Sequence, residues 1–267
     1  MPIIIKEITS LEQYIGESIR DIKRDQYLNF ENDFVYRGLS SSEYFLETSL
    51  KRNCEKNMNF EKSLLRNFLK HMPGKLRENV NSIWDVMVLG QHHGLPTRLL
   101  DWSHSPLIAL HFATLENMNK DSIVWKVSIT DANRGLPKGL TSTLIPESKH
   151  IFTLEDLKNF TKENDNELKY FDENIKNNIL FFSPPNLDDR IAFQRSIFSI
   201  TKLDISMEDF LANGDIIAYK YIIPYKIKWF FRDFLDHANI SERILFPGLD
   251  GLCKWLARSY YTEREGD

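Results

Sequence analysis

An α+β fold is what this sequence predicts, as a single domain with a small mixed or antiparallel sheet core flanked by helices. Three observations carry that expectation. A chain of 267 residues with 42% hydrophobic and 12% aromatic content can bury a substantial core. Some segments alternate apolar and polar residues with the period of a strand, and others repeat them with the period of a helix. The two kinds follow one another irregularly, without the strict alternation of a doubly wound parallel sheet.

The elements follow in order. In "TSLEQYIGESIRDIKRD", Leu11, Tyr14, Ile15, Ile19 and Ile22 fall at helical spacing, and Ser10 with Gln13 forms a capping-box pattern at the start. "DFVYRGLSSS" favours a strand through Phe34, Val35 and Tyr36, which Gly38 is expected to end, leaving Arg37 where strand meets loop. "NMNFEKSLLRNFLKHM" puts Met58, Leu64, Leu65, Phe68 and Leu69 on one helical face. "NSIWDVMVLGQHHG" reads as a further helix capped by Ser82 with Asp85, broken at Gly94-Leu95-Pro96. "TRLLDWSH" is then a loop that leads into a helix. Ser105 and Pro106 mark that helix's start as an N-cap and a first-turn proline, and it runs through "LIALHFATLENM". "SIVWKVSI" alternates as a strand.

Residues 133–177 are polar and charged and read as a helical insertion rather than core, within a core spanning about 34–200. "NILFFSPPNLDDRIAFQRSIFSITK" gives a strand, a Pro184-Pro185 break, a short helix and a strand from about Ile197. Residues 201–267 add a strand, "IIAYKYII", after an Asn-Gly turn signal, and helices in "YKIKWFFRDFLDHANI" and "PGLDGLCKWLARSYY".

Composition excludes several classes. A net charge of -4 argues against a generic nucleic-acid binder, which needs a basic face. Two cysteines, Cys54 and Cys253, fit neither a disulfide framework nor a metal knuckle, and a reducing cytoplasm is expected. No window has the length of a membrane span, and no membrane partner is expected. The phosphate-cradling and nucleophile-elbow patterns GxxxxGK[ST], GxGxxG and GxSxG are missing.

Chemistry-bearing residues concentrate in "LGQHHGLPTRLLDWSHSPLIALHFAT", which holds His92, His93, His104 and His111 of the chain's seven histidines. Their spacing matches neither HxxxH nor HExxH, so no metal is expected. An anion or ribose site is the second reading. Arg37 at a strand end offers a planar fork to phosphate, and Arg98, Asp101 and Ser103 lie on a segment entering a helix N-terminus. The bland alternative is that Arg98 and Asp101 pair with each other to hold the loop. Arg190 and Gln194, four apart in "DDRIAFQRSIF", share one face of a short helix, where Gln194 would bond a ligand hydroxyl or satisfy backbone.

With these segments in view, the chain resembles the FRG domain family, whose aromatic-Arg-Gly motif is here Tyr36-Arg37-Gly38. The resemblance continues through "SLKRN", "WDVMVLGQHHGLPTRLLDWSHSPLIALHFA", "SIVWKV" and "RIAFQRSIF", from Phe34 to Phe198. Ser196 departs from it, since glycine more often stands there. The family's occurrence among mobile elements and phage conflicts implies a toxin or phage-defence effector. A more distant similarity is to ADP-ribosyltransferases of the Arg-Ser-Glu type, with Arg37, Ser103 and Gln194 at the three positions. It implies an ADP-ribosyltransferase-like core and NAD as substrate.

Under that resemblance Arg37 clamps a phosphate, Ser103 positions the ribose, and Asp101 supplies negative charge toward an oxocarbenium-like sugar. Gln194, no base, bonds a ribose hydroxyl. Tyr36 or Trp102 stacks on the ring, with Gly38, His92 and Arg98 completing the nucleotide site. A macromolecular acceptor would be the partner. The rivals are a non-catalytic nucleotide or protein sensor and a metal-dependent hydrolase or nuclease built on the histidines.

Overall fold

The computed structural model describes residues 3–20, 23–24, 30–31, 33–54, 60–78, 80–144, 151–185, 189–203 and 205–260. Ile22 and Met58 of the helical readings above lie outside them, as does Tyr261. The strands are β1 (Ile4–Glu7), β2 (Lys23–Arg24), β3 (Phe30–Glu31), β4 (Phe34–Leu39), β5 (Leu99–Ser103), β6 (Ser122–Ser128), β7 (Phe152–Thr153), β8 (Leu180–Ser183), β9 (Ser196–Ile200) and β10 (Ala218–Ile223). The helices are α1 (Leu11–Ile19), α2 (Ser49–Cys54), α3 (Phe60–His71), α4 (Gly74–Arg77), α5 (Ile83–His92), α6 (Pro106–Ala113), α7 (Ile129–Arg134) and α8 (Lys138–Thr141). They continue as α9 (Leu154–Thr161), α10 (Glu167–Ile175), α11 (Asp189–Gln194), α12 (Met207–Asn213), α13 (Lys228–His237), α14 (Glu242–Leu245) and α15 (Leu249–Ser259).

The fold class is α+β. Eight strands form one mixed sheet in the order β1-β10-β6-β4-β5-β9-β8-β7, larger than the small sheet expected. Neighbours are antiparallel through the middle, and only the two edge pairs, β1 with β10 and β7 with β8, run parallel.

Alternation along the strands sends side chains to two faces. Leu100 and Trp102 join Trp125, Val127 and Phe181 in one core on one face. Leu99 points the other way, toward Phe198 and Ile200 and the helices α3, α5, α9 and α10. On that second face, beyond β4, a third cluster packs Tyr36 and Val124 against α1, α6 and α13. Every residue of β6 is buried, which is why a strand read as alternating has no solvent side.

Several local expectations are met for the stated reasons. Ser82 and Asp85 cap α5 reciprocally, and Ser105 caps α6 with Pro106 at its first position. Others are corrected. The "TRLLDWSH" loop is largely strand β5, because Leu99, Leu100 and Trp102 are apolar anchors for cores on both faces. Gly38 does not end β4, which continues to Leu39. Asn213-Gly214 is the end of helix α12, not a hairpin turn. The described part of 133–177 carries α8, α9, α10 and strand β7, and it is no mere elaboration: Leu140, Phe152, Leu157, Phe171 and Ile175 are buried in the core beside Trp84. Hydrophobic residues there are spaced too widely for a polar stretch to announce them.

Buried cations tie the helices to the sheet. Arg98 donates bidentately to Glu61 on α3 and, at 2.6 Å, to Asp172 on α10. It therefore does not pair with Asp101, and it joins the two helices at the start of β5. Lys228, the first residue of α13, sends its ammonium into four main-chain carbonyls, those of Ser40, Glu116, Asn117 and Lys120, at 2.8–3.2 Å. Below α6, Arg232 and Arg258 share Glu242, with Asp236 completing a network that ties α13, α14 and α15 together. Arg232 also donates to His111 Nδ1 at 2.9 Å. An arginine can only donate, so the imidazole accepts there and is neutral.

Two consequences are measurable. Arg98→Ala strands Glu61 in the interior and is expected to cost about 3–5 kcal/mol in urea unfolding, the usual result of breaking a buried pair. A cost near that of an exposed pair would show the triad to be dispensable. Burial first, and then the Arg232 cation, pushes His111 down from 6.5 to about 3. Its folded value lies below the unfolded one, so its contribution is complete above pH 6.5 and is lost as pH falls toward 3. Between pH 7 and pH 5 this single ring is expected to remove about 2 kcal/mol. His111→Gln, which retains an acceptor for Arg232, should flatten that slope in pH-dependent unfolding.

Candidate functional site

Between β4 and β5 the ladder is a single residue pair, Tyr36 opposite Ser103, after which the strands part. The next residue along β4 is Arg37. Its Nη1 donates to the main-chain carbonyl of Asp101, an acceptor on β5 beyond that single rung, and lies 3.9 Å from the Asp101 carboxylate. Gly38 follows, where a Cβ would stand 1.9 Å from the carbonyl oxygen of Ala109 and 2.5 Å from the Ala113 nitrogen on α6. Glycine is required because the helix backbone lies directly on the strand. The two residues of the motif thus do different things: the arginine reaches across the parting and the glycine admits α6.

The parting opens a cleft of about 230 Å³. Arg37, Asp101, Ser103 and Gln194 all line it, drawn from the adjacent elements β4, β5 and α11. Tyr36, Gly38 and Trp102 contribute as well, while Gln91, Phe112 and Arg190 complete the polar and aromatic lining.

Each polar group has a definable state. The Asp101 side chain is about half exposed, at 53%, and accepts from Gln91 Nε2 at 2.7 Å. The Gln91 amide is itself fixed, since Thr97 donates to its oxygen at 2.6 Å and that same hydroxyl accepts from the Leu99 N–H. Thr97 is fully buried, so the carboxylate is aimed by a relay rooted in the core. Burial lowers the Arg37 pKa, the Asp101 carboxylate opposes that, and the Arg52 cation adds to it. Arg37 Nε is buried with no hydrogen-bond partner among the described residues. The Ser103 hydroxyl donates to the Gln194 carbonyl at 2.7 Å and accepts from the Ser105 N–H. Gln194 Nε2 donates to the Leu245 carbonyl, tying α11 to the C-terminal helices.

Not all the sequence candidates meet here. Trp102 lines the cleft, but its indole is buried on the opposite face from Asp101, donating to Ser199 and edge-on to Phe181, and has no free face for a ligand. Tyr36 is likewise buried, with its hydroxyl on the Ser18 carbonyl. His92 ends α5 against His93 and does not line the cleft. Arg98 lines a different hollow of about 650 Å³ between α3 and α10, which holds none of Arg37, Asp101, Ser103 and Gln194. Ser196 adopts ordinary strand geometry and begins β9 opposite Ser103; the left-handed residue at this junction is Arg195, at φ 47°.

The described histidines do not converge on one site. His111 is buried against Arg232, His92 and His93 lie at the end of α5, and no group of three His, Cys, Asp or Glu side chains converges among the described residues. The residues that the sequence reading passed over as ligand contacts are Gln91, Phe112 and Arg190. Gln91 stood within the motif itself, and Arg190 was visible one helical turn before Gln194. Phe112 gave no signal beyond helical spacing.

Among the described residues no helix is long and apolar enough to cross a membrane. Neither a curated protein nor a solved structure matches the chain. The model of the FRG domain matches residues 32–122, a stretch that runs from the start of β4 through β5 and α6 to the first residue of β6. That matched stretch supplies Arg37, Gly38, Gln91, Asp101 and Ser103 to the cleft.

Proposed function

We propose that the cleft binds NAD or a related nucleotide and supports chemistry at the glycosidic bond, as an ADP-ribosyltransferase or NAD glycohydrolase. The observation that carries this reading is convergence: Arg37, Ser103 and Gln194, the three positions picked out by the resemblance to ADP-ribosyltransferases, line one cleft together with Asp101. Among the described residues Asp101 is the one carboxylate in its lining. Cleavage of the nicotinamide–ribose bond sends the bonding electron pair to the departing nicotinamide and leaves positive charge on the sugar. A carboxylate held beside that carbon stabilises the charge, and a nucleophile then bonds to the carbon and loses its proton. With water as nucleophile the products are ADP-ribose and nicotinamide; with a macromolecular acceptor, an ADP-ribosylated group. A toxin or phage-defence role is carried over from the family resemblance alone.

A second reading, a nucleotide sensor without turnover, draws on a specific feature. The Ser103 hydroxyl and the Gln194 amide are both committed to main-chain partners, and position 194 carries no carboxylate. The two readings separate when pure protein is incubated with NAD and nicotinamide release is followed. Turnover supports the enzyme; a ligand-dependent rise in melting temperature without turnover supports the sensor. Absence of both, in folded protein, removes NAD from consideration.

Asp101→Asn is expected to lower turnover by about a hundredfold or more with NAD affinity little changed, in the range typical of a lost catalytic carboxylate. An unchanged rate would assign Asp101 to holding Gln91 and Arg37 only. Gln91→Leu frees the carboxylate to rotate, and about a tenfold fall in kcat with KM near wild type is expected. Equal loss in Gln91→Leu and in a variant of the exposed α5 neighbour His93 would point to general damage to α5 instead.

A further inference from the structure

The donor balance of the cleft points to a ligand feature that the proposed function leaves open. Two guanidinium groups line a space of about 230 Å³, against one carboxylate. Arg37, whose side chain is one-fifth exposed, bonds among the described residues only through Nη1, to the Asp101 carbonyl. Arg190, on α11, makes no ion pair or hydrogen bond among the described residues. Its guanidinium instead lies over the ring of Phe246, 5.1 Å from the centroid. Asp101 has already accepted from Gln91 and faces Arg37, so it does not neutralise Arg190 as well. The cleft therefore presents unspent donors on two separate planar forks, a lining suited to an acceptor-rich, anionic group.

The seat of Arg190 is built, not incidental. Phe246 is fixed by an edge-on contact to Phe112, itself a cleft residue, at 6.1 Å between centroids. The Phe246 N–H donates to the Glu242 carbonyl, and Glu242 is the carboxylate that Arg232 and Arg258 share. Gly251 of α15 packs so closely that a Cβ would stand 1.9 Å from the Phe246 carbonyl oxygen. The ring on which Arg190 rests is thus held by the buried network of the C-terminal helices, outside the residues matched by the FRG domain model. A cation over an aromatic face keeps its N–H edges free for a second partner in the ring plane of the guanidinium.

We infer that Arg190 is a second anion-binding residue of the cleft, and that the ligand carries two adjacent phosphates, one held by Arg37 and the other by Arg190. This rests on the reading of the cleft as a nucleotide site and narrows it to a diphosphate-containing ligand, a dinucleotide or nucleoside diphosphate, over a mononucleotide. Phe112 provides the apolar flank beside it.

The test is isothermal titration calorimetry of the full chain with inorganic pyrophosphate, orthophosphate, ADP and AMP at fixed ionic strength. Wild type is expected to bind pyrophosphate over orthophosphate, and ADP over AMP, by about tenfold or more, the worth of one charge-assisted hydrogen-bonded contact. R190Q should abolish that preference while leaving orthophosphate binding nearly intact, and R37Q should weaken all four ligands. R190K, which keeps the charge without the fork, is expected to fall between and guards against misfolding of R190Q. Equal affinity of wild type for pyrophosphate and orthophosphate, or an undiminished preference in R190Q, overturns the assignment. A diphosphate preference without NAD turnover would retain Arg190 and sink the glycosidic-bond chemistry. NAD turnover with an unchanged KM in R190Q would do the reverse.

Discussion

The candidate site depends on one defect in an otherwise continuous ladder. β4 and β5 share a single residue pair, Tyr36 with Ser103, and then separate. A sheet that parts leaves backbone groups to be satisfied by something else, and here a guanidinium does it, Arg37 bonding the Asp101 carbonyl. Had the ladder continued, Arg37 would pair with Trp102 and Gly38 with Asp101 in a closed sheet with no room between the strands. The parting is stable because both strands are held on their other sides. β4 pairs with β6 over six residues and β5 with β9 over five. α6 covers the parting strands by resting on Gly38.

That arrangement explains why chemistry-bearing residues cluster in the sequence. The stretch from Gln91 to Ser103 runs from the end of α5 through a short connection into β5, so one segment both crosses the core and borders the cleft. Thr97 and Gln91 use the turn between them to aim Asp101. Arg98, two residues before Leu100, points away and ties down α3 and α10. Neighbouring positions on a strand address opposite sides, so residues adjacent in the motif have unrelated work.

The same fact sets the limits of what the sequence made legible. Helix caps, the strand periods and the α+β class follow from local rules, and Ser82, Ser105 and Pro106 act as those rules require. Arg37, Asp101, Ser103 and Gln194 were identifiable by residue type and context, and they line one cleft. What local reading missed was direction. Trp102 looked like a stacking platform, because spacing alone does not say which face of the sheet a side chain takes once a supposed loop proves to be a strand. Glu61 and Asp172, the partners that decide the case of Arg98, lie 37 and 74 residues away. The left-handed turn at Arg195 was likewise invisible, since nothing in "QRSIF" marks arginine as the strained residue.

Partner accounting separates the arginines that hold the fold from those open to a ligand. Arg98 spends its donors on two carboxylates, and Arg258 bonds both Glu242 and Asp236. Lys228 follows the same logic with carbonyls in place of carboxylates. Each such cation is buried or nearly so, and an unpaired neighbour there would be costly, which makes full pairing a condition of folding. Arg232 keeps one nitrogen unpaired, but it is fully buried beneath α6, where no ligand reaches it. Arg37 and Arg190 instead border open space, and each retains donors after its contacts among the described residues have been made. A folded chain tolerates such donors where solvent or a ligand can satisfy them, so the cations left over by the structure mark the place where its chemistry meets something else.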